Sequence, residues 1–440
     1  MESTNVYNKF VTALEQQNHN RTQQRLCVAL SGGVDSVVLL HLCHQYAKLN
    51  GTVKLEAIYV NHGLSDNALM WQQFCTQLCA QLAVPFRAVS VDIQAKSRTS
   101  LEAQARDARY LALDTHASKD ATLVLGQHAD DQIETLLIRL KRGSGLQGLG
   151  AMRAKTQLAS GRYCIRPLLD IERKDIEAFA QTFSLTHIED ESNHSDVFDR
   201  NFLRNQVIPL LKSRFSGFVP SVLRSISILQ AQQALIDEIA QSDLESCSDK
   251  KQLDIARLTG LSALRQSNAV RAWFAKQGIS MPSQKQLAQI LDQAINGRED
   301  AQVNILLRSG SVKRYNALLY WVPKNHIELA DIENISLTAE MKLADGRTLL
   351  TISSEGVRAP LATESVTIRF GRINEKIKPF GKPGRNSVKH WLKEAKVPSW
   401  ERTQIPMVYY NDTLVAVAGY FINSDYAEKS GINWQIQDAE

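Results

Sequence analysis

Two glycines flanked by hydroxyl side chains stand near the start of the chain, in the run Ser31, Gly32, Gly33, Val34, Asp35 and Ser36. An apolar run, residues 26–30, precedes them, and a helix-like stretch, residues 37–46, follows. The first amides of a helix lack intrahelical partners and face the positive end of its dipole, so this order of elements can bind an anion. Glycine also lets a bulky anion approach the backbone. We predict a phosphate-binding loop, against the alternative of a plain surface turn.

A histidine and three carboxylates cluster where a later helix should begin. These are His128, Asp130, Asp131 and Glu134, directly after the predicted strand 122–126. Acidic residues at a helix start complement the helix dipole, which is the alternative explanation for the two aspartates. Glu134 follows them by three and four residues, so the three carboxylates share one helix face. Such a face can hold Mg²⁺ beside ATP, or it can bind a substrate cation.

Arginine pairs at helical spacing occur twice. Arg106 and Arg109 lie on one side of the predicted helix 101–117, and Arg200 and Arg204 share a helix face further along the chain. Solvated salt bridges are the simpler explanation for both pairs. The functional alternative is anion binding, because a guanidinium contacts phosphate or carboxylate through two parallel hydrogen bonds.

The elements that must position these residues alternate between strand and helix patterns. Strands are predicted at residues 26–30, 54–60, 86–93 and 122–126, with helices over 37–46, 66–82 and 101–117. This alternation is typical of βαβ units, which build a parallel sheet covered on both faces. Ligands of such sheets bind beyond the carboxyl ends of the strands, where the motifs above fall. We predict the α/β class, with a doubly wound, Rossmann-like domain over residues 1–217.

The pattern changes after residue 217. Apolar residues recur near a 3.6-residue period and short strand-like runs follow, so residues 218–334 are predicted to form a mainly helical middle domain. Residues 335–440 are predicted to form a small, basic α+β domain, because residues 372–396 contain eight Lys or Arg against two Glu. The side chains that we expect to contact nucleic-acid phosphates are Lys376, Lys378, Arg385, Lys389 and Lys393.

A short amphipathic helix is predicted inside this basic segment. One face carries Lys389, Lys393 and Lys396, and the other carries Val388, Trp391, Leu392 and Ala395. We expect the apolar face to pack on neighbouring strands. Clustered like charges repel one another unless an anion binds there, so we expect the basic face to contact phosphates. Such contacts give affinity and position but no base readout.

Composition limits the class of protein. The chain has 440 residues, 44% of them hydrophobic, with a net charge of +5 that permits a nucleic-acid partner without demanding one. No apolar run reaches the ~20 residues of a membrane span, and the N-terminus lacks a signal-like apolar region. We therefore expect a cytoplasmic protein with no membrane partner. The six cysteines suit reduced core thiols better than disulfides.

The motifs resemble a known family when they are taken together. The hexapeptide is similar to the pyrophosphate-binding loop of the ATP pyrophosphatases of the adenine-nucleotide hydrolase type. The ordered series over roughly residues 20–215 resembles the bacterial tRNA(Ile)-lysidine synthases. That series is the loop of residues 31–36, Asn61-His62-Gly63-Leu64, Glu102 to Arg106 with Arg109-Tyr110, His128 to Thr135, Arg142-Gly143-Ser144-Gly145, Arg166-Pro167-Leu168, Asp190 to Asn193, and Arg200-Asn201.

The resemblance implies a ligase that modifies tRNA(Ile) with a CAU anticodon. In that family ATP activates the wobble cytidine at its C2 oxygen, which gives an adenylate and pyrophosphate. The ε-amine of free L-lysine then attacks C2, AMP leaves, and lysidine changes the codon specificity from AUG to AUA. The implied cofactors are ATP and Mg²⁺, and the implied partners are this tRNA and L-lysine. The oligomeric state stays open, with a homodimer as one alternative.

The resemblance also implies roles for individual residues. The cofactor-binding set is residues 31–36 with His128, and the catalytic set is Asp35, Arg109, Asp131 and Glu134. Of these, Asp35 and Asp131 would hold Mg²⁺ or lysine, and Glu134 and Arg109 would recognise and activate lysine. Arg200 and Arg204 would contact nucleotide or tRNA phosphates.

The chain departs from the family pattern at two positions. Gln127 stands where the family often has a second histidine, and Ser65 stands where it often has an arginine; both bear on phosphate or RNA contacts. Two other enzyme classes share the loop: tRNA thiolases, which usually carry paired cysteines that are missing here, and small-molecule adenylating synthetases, against which the basic domain argues. A non-catalytic ATP- and tRNA-binding protein is the third alternative, and the intact acidic cluster argues against it.

Overall fold

The computed structural model describes residues 2–17, 24–63, 65, 67–92, 101–189, 198–298, 303–324, 329–335, 337 and 340–437. The chain divides into two compact units, Met1–Ile236 and Asp237–Glu440. The three-domain division with boundaries at residues 217 and 334 stays a prediction.

The first unit contains alternating strands and helices. Its helices are α1 (Glu2–Gln17), α2 (Val34–Leu49), α3 (Ala68–Gln81), α4 (Leu101–His116), α5 (Ala129–Lys141), α6 (Leu146–Leu149), α7 (Arg173–Thr182), α8 (Asp199–Phe202), α9 (Ile208–Arg214) and α10 (Phe218–Cys247), the last of which continues into the second unit. Its strands are β1 (Arg25–Ala29), β2 (Lys54–Asn61), β3 (Phe86–Ser90), β4 (Thr122–Val124), β5 (Lys155–Gln157) and β6 (Tyr163–Ile165).

These strands form one sheet in the order β3-β2-β1-β4-β6-β5. All neighbours are parallel except β5 and β6. Alternate residues of β1 face opposite sides of the sheet: Leu26 and Val28 lie in a core with α1, α2 and α7, whereas Cys27 packs with Leu113 of α4. Because helices cover both faces, the predicted doubly wound fold is confirmed.

The central strands bring two loops together at the carboxyl edge of the sheet. β1 and β4 are paired from Leu26 with Thr122 to Val28 with Val124, so the loops that follow them are neighbours. A Cβ atom on Gly126 would lie 3.2 Å from the carbonyl oxygen of Asp35. Glycine at this position therefore allows the end of β4 to approach the first turn of α2.

A helical segment over residues 199–214 packs beside α5. It consists of α8, a π-helical turn (Leu203–Val207) and α9. Ile208 at the start of α9 shares a core with Ala129 and Ile133 of α5 and with Val219 of α10. This apolar contact holds the segment against the helix that carries the acidic cluster. π-Helical turns are rare and occur frequently at functional sites.

The second unit is largely antiparallel. Its helices are α11 (Ile255–Thr259), α12 (Ala263–Lys276), α13 (Gln284–Gln289) and α14 (Val388–Glu394). Its strands are β7 (Ser248–Asp249), β8 (Gln252–Asp254), β9 (Asn304–Leu306), β10 (Gly310–Tyr315), β11 (Leu318–Pro323), β12 (Glu340–Lys342), β13 (Thr348–Val357), β14 (Val366–Arg369), β15 (Lys376–Ile377), β16 (Asn386–Ser387), β17 (Met407–Tyr410), β18 (Thr413–Val417), β19 (Phe421–Ile422) and β20 (Ala427–Gln437).

Two details of this unit differ from the sequence analysis. The hairpin of β7 and β8 joins β11, β10 and β9 in one sheet, within a stretch predicted to be helical. α14 ends at Glu394, so Lys396, with a φ of 59°, and the exposed Ala395 lie beyond the helix rather than on its two faces. The predicted burial of Val388, Trp391 and Leu392 is confirmed.

Across the described ranges, no helix combines the length and the apolar character that crossing a bilayer requires. All six cysteines are buried free thiols, as the sequence analysis predicted.

Candidate active site

The glycine loop is closed by one hydroxyl group. Ser36 Oγ accepts hydrogen bonds from the amides of Ser31 and Gly32, both at 3.1 Å, and donates one to the carbonyl of Gly33 at 3.0 Å. Gly33 is the extended N-cap of α2. The next two amides therefore belong to the first turn of the helix, where no intrahelical acceptor exists. These amides are placed where an anion could bind, and phosphate binding by this loop stays a prediction.

Replacement of Gly32 by alanine should weaken ATP binding roughly tenfold, because Gly32 has a φ of +90° and such a conformation costs other residues about 1–2 kcal/mol. An added Cβ would also lie 2.4 Å from Ile188 Cδ1, although that methyl group can move. The dissociation constant for ATP, measured by calorimetry, checks this prediction. Gly51→Ala is the matched control, because no atom lies within 4 Å of its added Cβ. Equal affinities of the two variants would contradict it.

His128 lies at the centre of three aspartates. Its side chain is 1% exposed, and its Nε2 atom lies 3.6 Å from Asp35 Oδ1 and 3.5 Å from Asp131 Oδ2. Its Nδ1 atom lies 3.9 Å from Asp130 Oδ2. The backbone amide of His128 donates to Asp131 Oδ2 at 3.1 Å, which caps the start of α5. The structure thus brings the loop residue Asp35 and the acidic cluster of α5 to one place.

Asp35 carries an acceptor atom that lacks a donor. Its Oδ1 atom is buried and accepts no hydrogen bond from the part of the chain that is described. Burial raises the pKa of Asp35, against the lowering effect of His128 and Arg173. Buried polar atoms are normally satisfied, so a cation beside this oxygen would complete its surroundings.

These residues fit Mg²⁺ better than a metal held entirely by protein atoms. Among the described residues, no group of three or more His, Cys, Asp or Glu side chains is arranged to hold a metal ion. Mg²⁺ is usually bound by one or two carboxylates together with water and substrate phosphates. Asp35 and Asp131, which both lie within 3.6 Å of His128 Nε2, are the carboxylates that could serve.

Glu134 is fully buried between two arginines. Its Oε1 atom accepts a hydrogen bond from Arg204 Nε at 2.6 Å, and its Oε2 atom accepts from Arg200 Nε at 2.8 Å and from Arg204 Nη2 at 3.1 Å. Arg204 Nη2 also lies 3.2 Å from Asp131 Oδ1. The two arginines of the 199–214 segment therefore contact Glu134 directly, which the sequence analysis did not predict.

Both carboxylate oxygens of Asp130 are paired with groups from other parts of the chain. One of its oxygens accepts a hydrogen bond from the amide of Arg173 at 2.9 Å, and the other pairs with the ammonium group of Lys212. Burial raises the pKa of Asp130, but these two hydrogen bonds together with the charges of Lys212 and His128 outweigh burial, and the pKa lies below its ordinary value. Asp130 thus joins the start of α5 to the start of α7 and to α9.

Arg109, on α4, and His62, directly after β2, lie near the cluster. Burial lowers the pKa of Arg109, whose charge interacts with Arg200 and Asp131. Burial and the charge of Arg109 lower the pKa of His62, whose Nδ1 atom is buried without a hydrogen-bond partner in the described structure. Both effects favour the neutral form of His62. It belongs to a motif that the sequence analysis quoted, but no role was predicted for it.

A cavity of about 350 Å³ opens beside Glu134. It is lined by Asp130, Glu134, Arg173, Arg204, Asn205, Ile208, Pro209 and Lys212. Arg173 and Lys212 were not predicted from the sequence. Lys212 follows Arg200 and Arg204 at multiples of four residues, so an extension of that helical spacing would have predicted it.

The two departures from the family pattern have local partners. Gln127 Oε1 accepts a hydrogen bond from Arg166 Nε at 2.9 Å, and Ser65 Oγ accepts one from the amide of Asn67 at 3.2 Å. Arg166 also donates to the hydroxyl of Tyr110 at 3.1 Å. Gln127 thus helps to hold Arg166 in place, and Ser65 stabilises a local turn. Leu64, the motif at residues 190–193 and the side chain of Glu102 lie outside the described residues.

The basic residues predicted to contact nucleic acid lie in the second unit. All five are exposed, namely Lys376, Lys378, Arg385, Lys389 and Lys393. α14 displays the last two, because its apolar side is anchored in a core with Met407 and Tyr409. The indole of Trp391 donates to the carbonyl of Ile377 at 3.2 Å, which fixes α14 on β15.

The parallel sheet, the glycine loop and the acidic cluster define a PP-loop ATP-binding enzyme. In agreement, residues 6–211 match the PP-loop domain family. Residues 253–320 match the family described as the TilS substrate binding domain, and residues 366–437 match the TilS substrate C-terminal domain.

Similarity over nearly the whole chain identifies the family. The chain is 38% identical over 426 residues to the tRNA(Ile)-lysidine synthase of Vibrio vulnificus (strain YJ016), covering 96% of this chain and 97% of that protein. It is 39% identical over 422 residues to the tRNA(Ile)-lysidine synthase of Proteus mirabilis (strain HI4320), covering 93% and 95%. The chain therefore belongs to the tRNA(Ile)-lysidine synthase family of ATP-dependent ligases, and the family predicted from the motifs is confirmed.

A solved structure overlaps the chain more distantly. The U34-tRNA thiolase NcsA from Methanococcus maripaludis covers 52% of this chain and 80% of its own length, at 17% identity and a TM-score of 0.44.

Proposed function

We propose that this protein joins free L-lysine to C2 of the wobble cytidine of tRNA(Ile) with a CAU anticodon, through an adenylated cytidine. The observation that supports this most strongly is the meeting of three features at one edge of the sheet: the anion-binding loop, the unsatisfied oxygen of Asp35, and the buried Glu134. The loop suits the phosphates of ATP, and the carboxylate suits an ammonium group of the second substrate.

In the first step, the C2 oxygen of the cytidine attacks the α-phosphorus of ATP and the bond to pyrophosphate breaks. The loop amides and the first turn of α2 would hold the pyrophosphate portion. Mg²⁺ at Asp35 and Asp131 would neutralise negative charge on the phosphate oxygens. Alignment of the oxygen with the α-phosphorus supplies much of the acceleration in such reactions.

In the second step, the neutral ε-amine of lysine forms a bond to C2, and AMP leaves with the former C2 oxygen. The lysine ammonium must lose a proton before it attacks, and the amine loses another as the product forms. Glu134 would hold the ammonium group and accept a proton. Its arginine partners are also the proposed phosphate contacts, so we expect Glu134 to become available when Arg200 and Arg204 turn to substrate phosphates.

The reaction itself is tested by incorporation of labelled lysine into a tRNA(Ile) transcript with a CAU anticodon, in the presence of ATP and Mg²⁺. A methionine tRNA transcript with the same anticodon is the control. We expect incorporation into the isoleucine tRNA alone. If AMP and pyrophosphate form without lysine incorporation, the acceptor or the nucleophile is wrong although the ATP chemistry is right.

The exposed lysines of α14 should contribute non-specific affinity for the tRNA. A Lys389→Gln/Lys393→Gln variant should bind tRNA more weakly. The negative slope of log K against log salt should become less steep, by ~0.9 for each phosphate that is no longer neutralised and by less on unpaired strands. Filter binding between low and physiological salt measures this slope. Lys48→Gln/Lys54→Gln is the matched control, because both lysines are exposed in the first unit, at the end of α2 and the start of β2. An unchanged slope in the α14 variant would refute the assignment.

A further inference from the structure

Two exposed phenylalanines lie in the same helical segment as the active-site arginines. Phe198 is 55% exposed and Phe202 is 48% exposed. The amide of Phe202 donates to the carbonyl of Phe198 at 3.0 Å, so the two residues are one helical turn apart. Side chains at this spacing are neighbours on a helix surface. The two exposed side chains therefore begin and end one turn of the segment, and we call them the aromatic patch.

The patch lies on the outer face of the segment whose inner face contacts Glu134. Successive residues of a helix are about 100° apart, so Phe198 and Phe202 lie roughly opposite Arg200 and Arg204. Both arginines point at Glu134, with Nε to carboxylate distances of 2.8 and 2.6 Å. The rings are thus separated from the reacting groups by the thickness of one helix, ~10 Å.

One ion pair and one exposed arginine lie close to the two rings. Lys141 Nζ lies 2.9 Å from both carboxylate oxygens of Asp199, the residue between the rings in sequence. The hydrogen bond and charge of Lys141, with a contribution from Arg142, lower the pKa of Asp199. Arg142 is exposed and begins the glycine-rich motif after α5, for which the proposed function has no role. This basic loop therefore lies next to the aromatic patch.

We propose that Phe198 and Phe202 form a stacking platform for unpaired bases of the anticodon loop next to the wobble cytidine, and that Arg142 contacts the phosphate between them. This inference rests on the proposed function. Single-stranded bases stack on aromatic side chains, and arginine or lysine beside the rings follows the backbone. The exposed charge of Arg142 favours RNA over a second copy of this chain, because the partner's matching patch would bring two such arginines together.

The test uses the full-length protein and an RNA hairpin with the anticodon stem and loop of tRNA(Ile). Phe198→Ala and Phe202→Ala should each raise the dissociation constant of the hairpin about tenfold, and leave the dissociation constant of ATP unchanged. Phe202→Trp should bind like the unaltered protein, because it keeps an aromatic face. Phe183→Ala is the matched control, since Phe183 is 51% exposed at the C-terminal end of α7.

A second readout reports stacking directly. A hairpin with 2-aminopurine beside the wobble cytidine should lose fluorescence on binding the unaltered protein, and this quenching should be reduced in the double alanine variant. Unchanged hairpin affinity in the double alanine variant would overturn the stacking platform. If the unaltered protein still incorporates lysine, that result leaves the proposed function intact. If the double alanine substitution dissociates a dimer without changing the RNA affinity, the two phenylalanines form a protein contact and the stacking platform is overturned. Absence of both hairpin binding and lysine incorporation in the unaltered protein would overturn both proposals.

Discussion

Replacement of Glu134 by glutamine should reduce lysine transfer about 10²- to 10⁴-fold, the range that a positioned acid or base contributes. Glutamine keeps the shape of the side chain but can neither hold an ammonium group by charge nor accept its proton. Release of pyrophosphate from ATP should be reduced less, because the loop and Asp35 remain. Single-turnover measurements of pyrophosphate release and of labelled lysine incorporation separate the two steps.

The same substitution should also reduce stability. Glu134 is 0% exposed and its charge faces two guanidinium groups, and removal of one partner from a buried ion pair costs about 3–5 kcal/mol. Urea unfolding shows whether the variant is folded under the assay conditions. Glu177→Gln is the matched control, because Glu177 is 48% exposed and pairs with Arg173 on the surface of α7. A folded Glu134→Gln variant that transfers lysine at the unaltered rate would refute the role of Glu134.

Replacement of Asp35 by asparagine should reduce pyrophosphate release about 10²- to 10³-fold, the effect expected when a charge-stabilising group of the transition state is lost. Asp35 provides the buried oxygen that lacks a hydrogen-bond donor among the described residues. The variant should also require more Mg²⁺ for half-maximal activity. Asp412→Asn is the control, because Asp412 is 95% exposed in the second unit.

The pH dependence of Mg²⁺ binding tests the same residue. Burial raises the pKa of Asp35, and only the ionised carboxylate binds a cation. Mg²⁺ affinity of the unaltered protein with ATP should therefore fall as the pH is lowered through this raised pKa, at a higher pH than for an ordinary aspartate. The amide of the Asp35→Asn variant cannot ionise, so this variant should lose that part of the pH dependence. Identical profiles would contradict the assignment of Asp35 as a metal ligand.

Much of the first unit could be predicted from the sequence, because its strands, helices and motifs are specified by residues that lie close together in the chain. Apolar strands alternating with helices fix a parallel sheet, and the loop of residues 31–36 and the α5 cluster follow neighbouring strands. α1 was not predicted, although Val6, Phe10 and Leu14 recur every four residues and are buried. The polar residues between them make this stretch resemble an unstructured N-terminus when only its overall composition is considered.

The contacts of Glu134 could not be predicted, because its partners are 66 and 70 residues away in sequence. Their positions depend on how the 199–214 segment packs on α5, and a π-helical turn within that segment changes the helical spacing. In the second unit, β7 and β8 are too short and polar to show an alternating pattern. The end of α14 depends on Lys396, whose backbone has a φ of 59°, a conformation that its residue type does not suggest.

The most direct test of the proposed function is the position and bond type of the incorporated lysine. The labelled tRNA(Ile) product should be treated with mild alkali, digested to nucleosides and analysed by mass. We expect the lysine to survive alkali and to appear on the wobble cytidine, because a carbon–nitrogen bond at C2 is not an ester. Lysine released by alkali, or found on any other nucleoside, would contradict the proposed reaction.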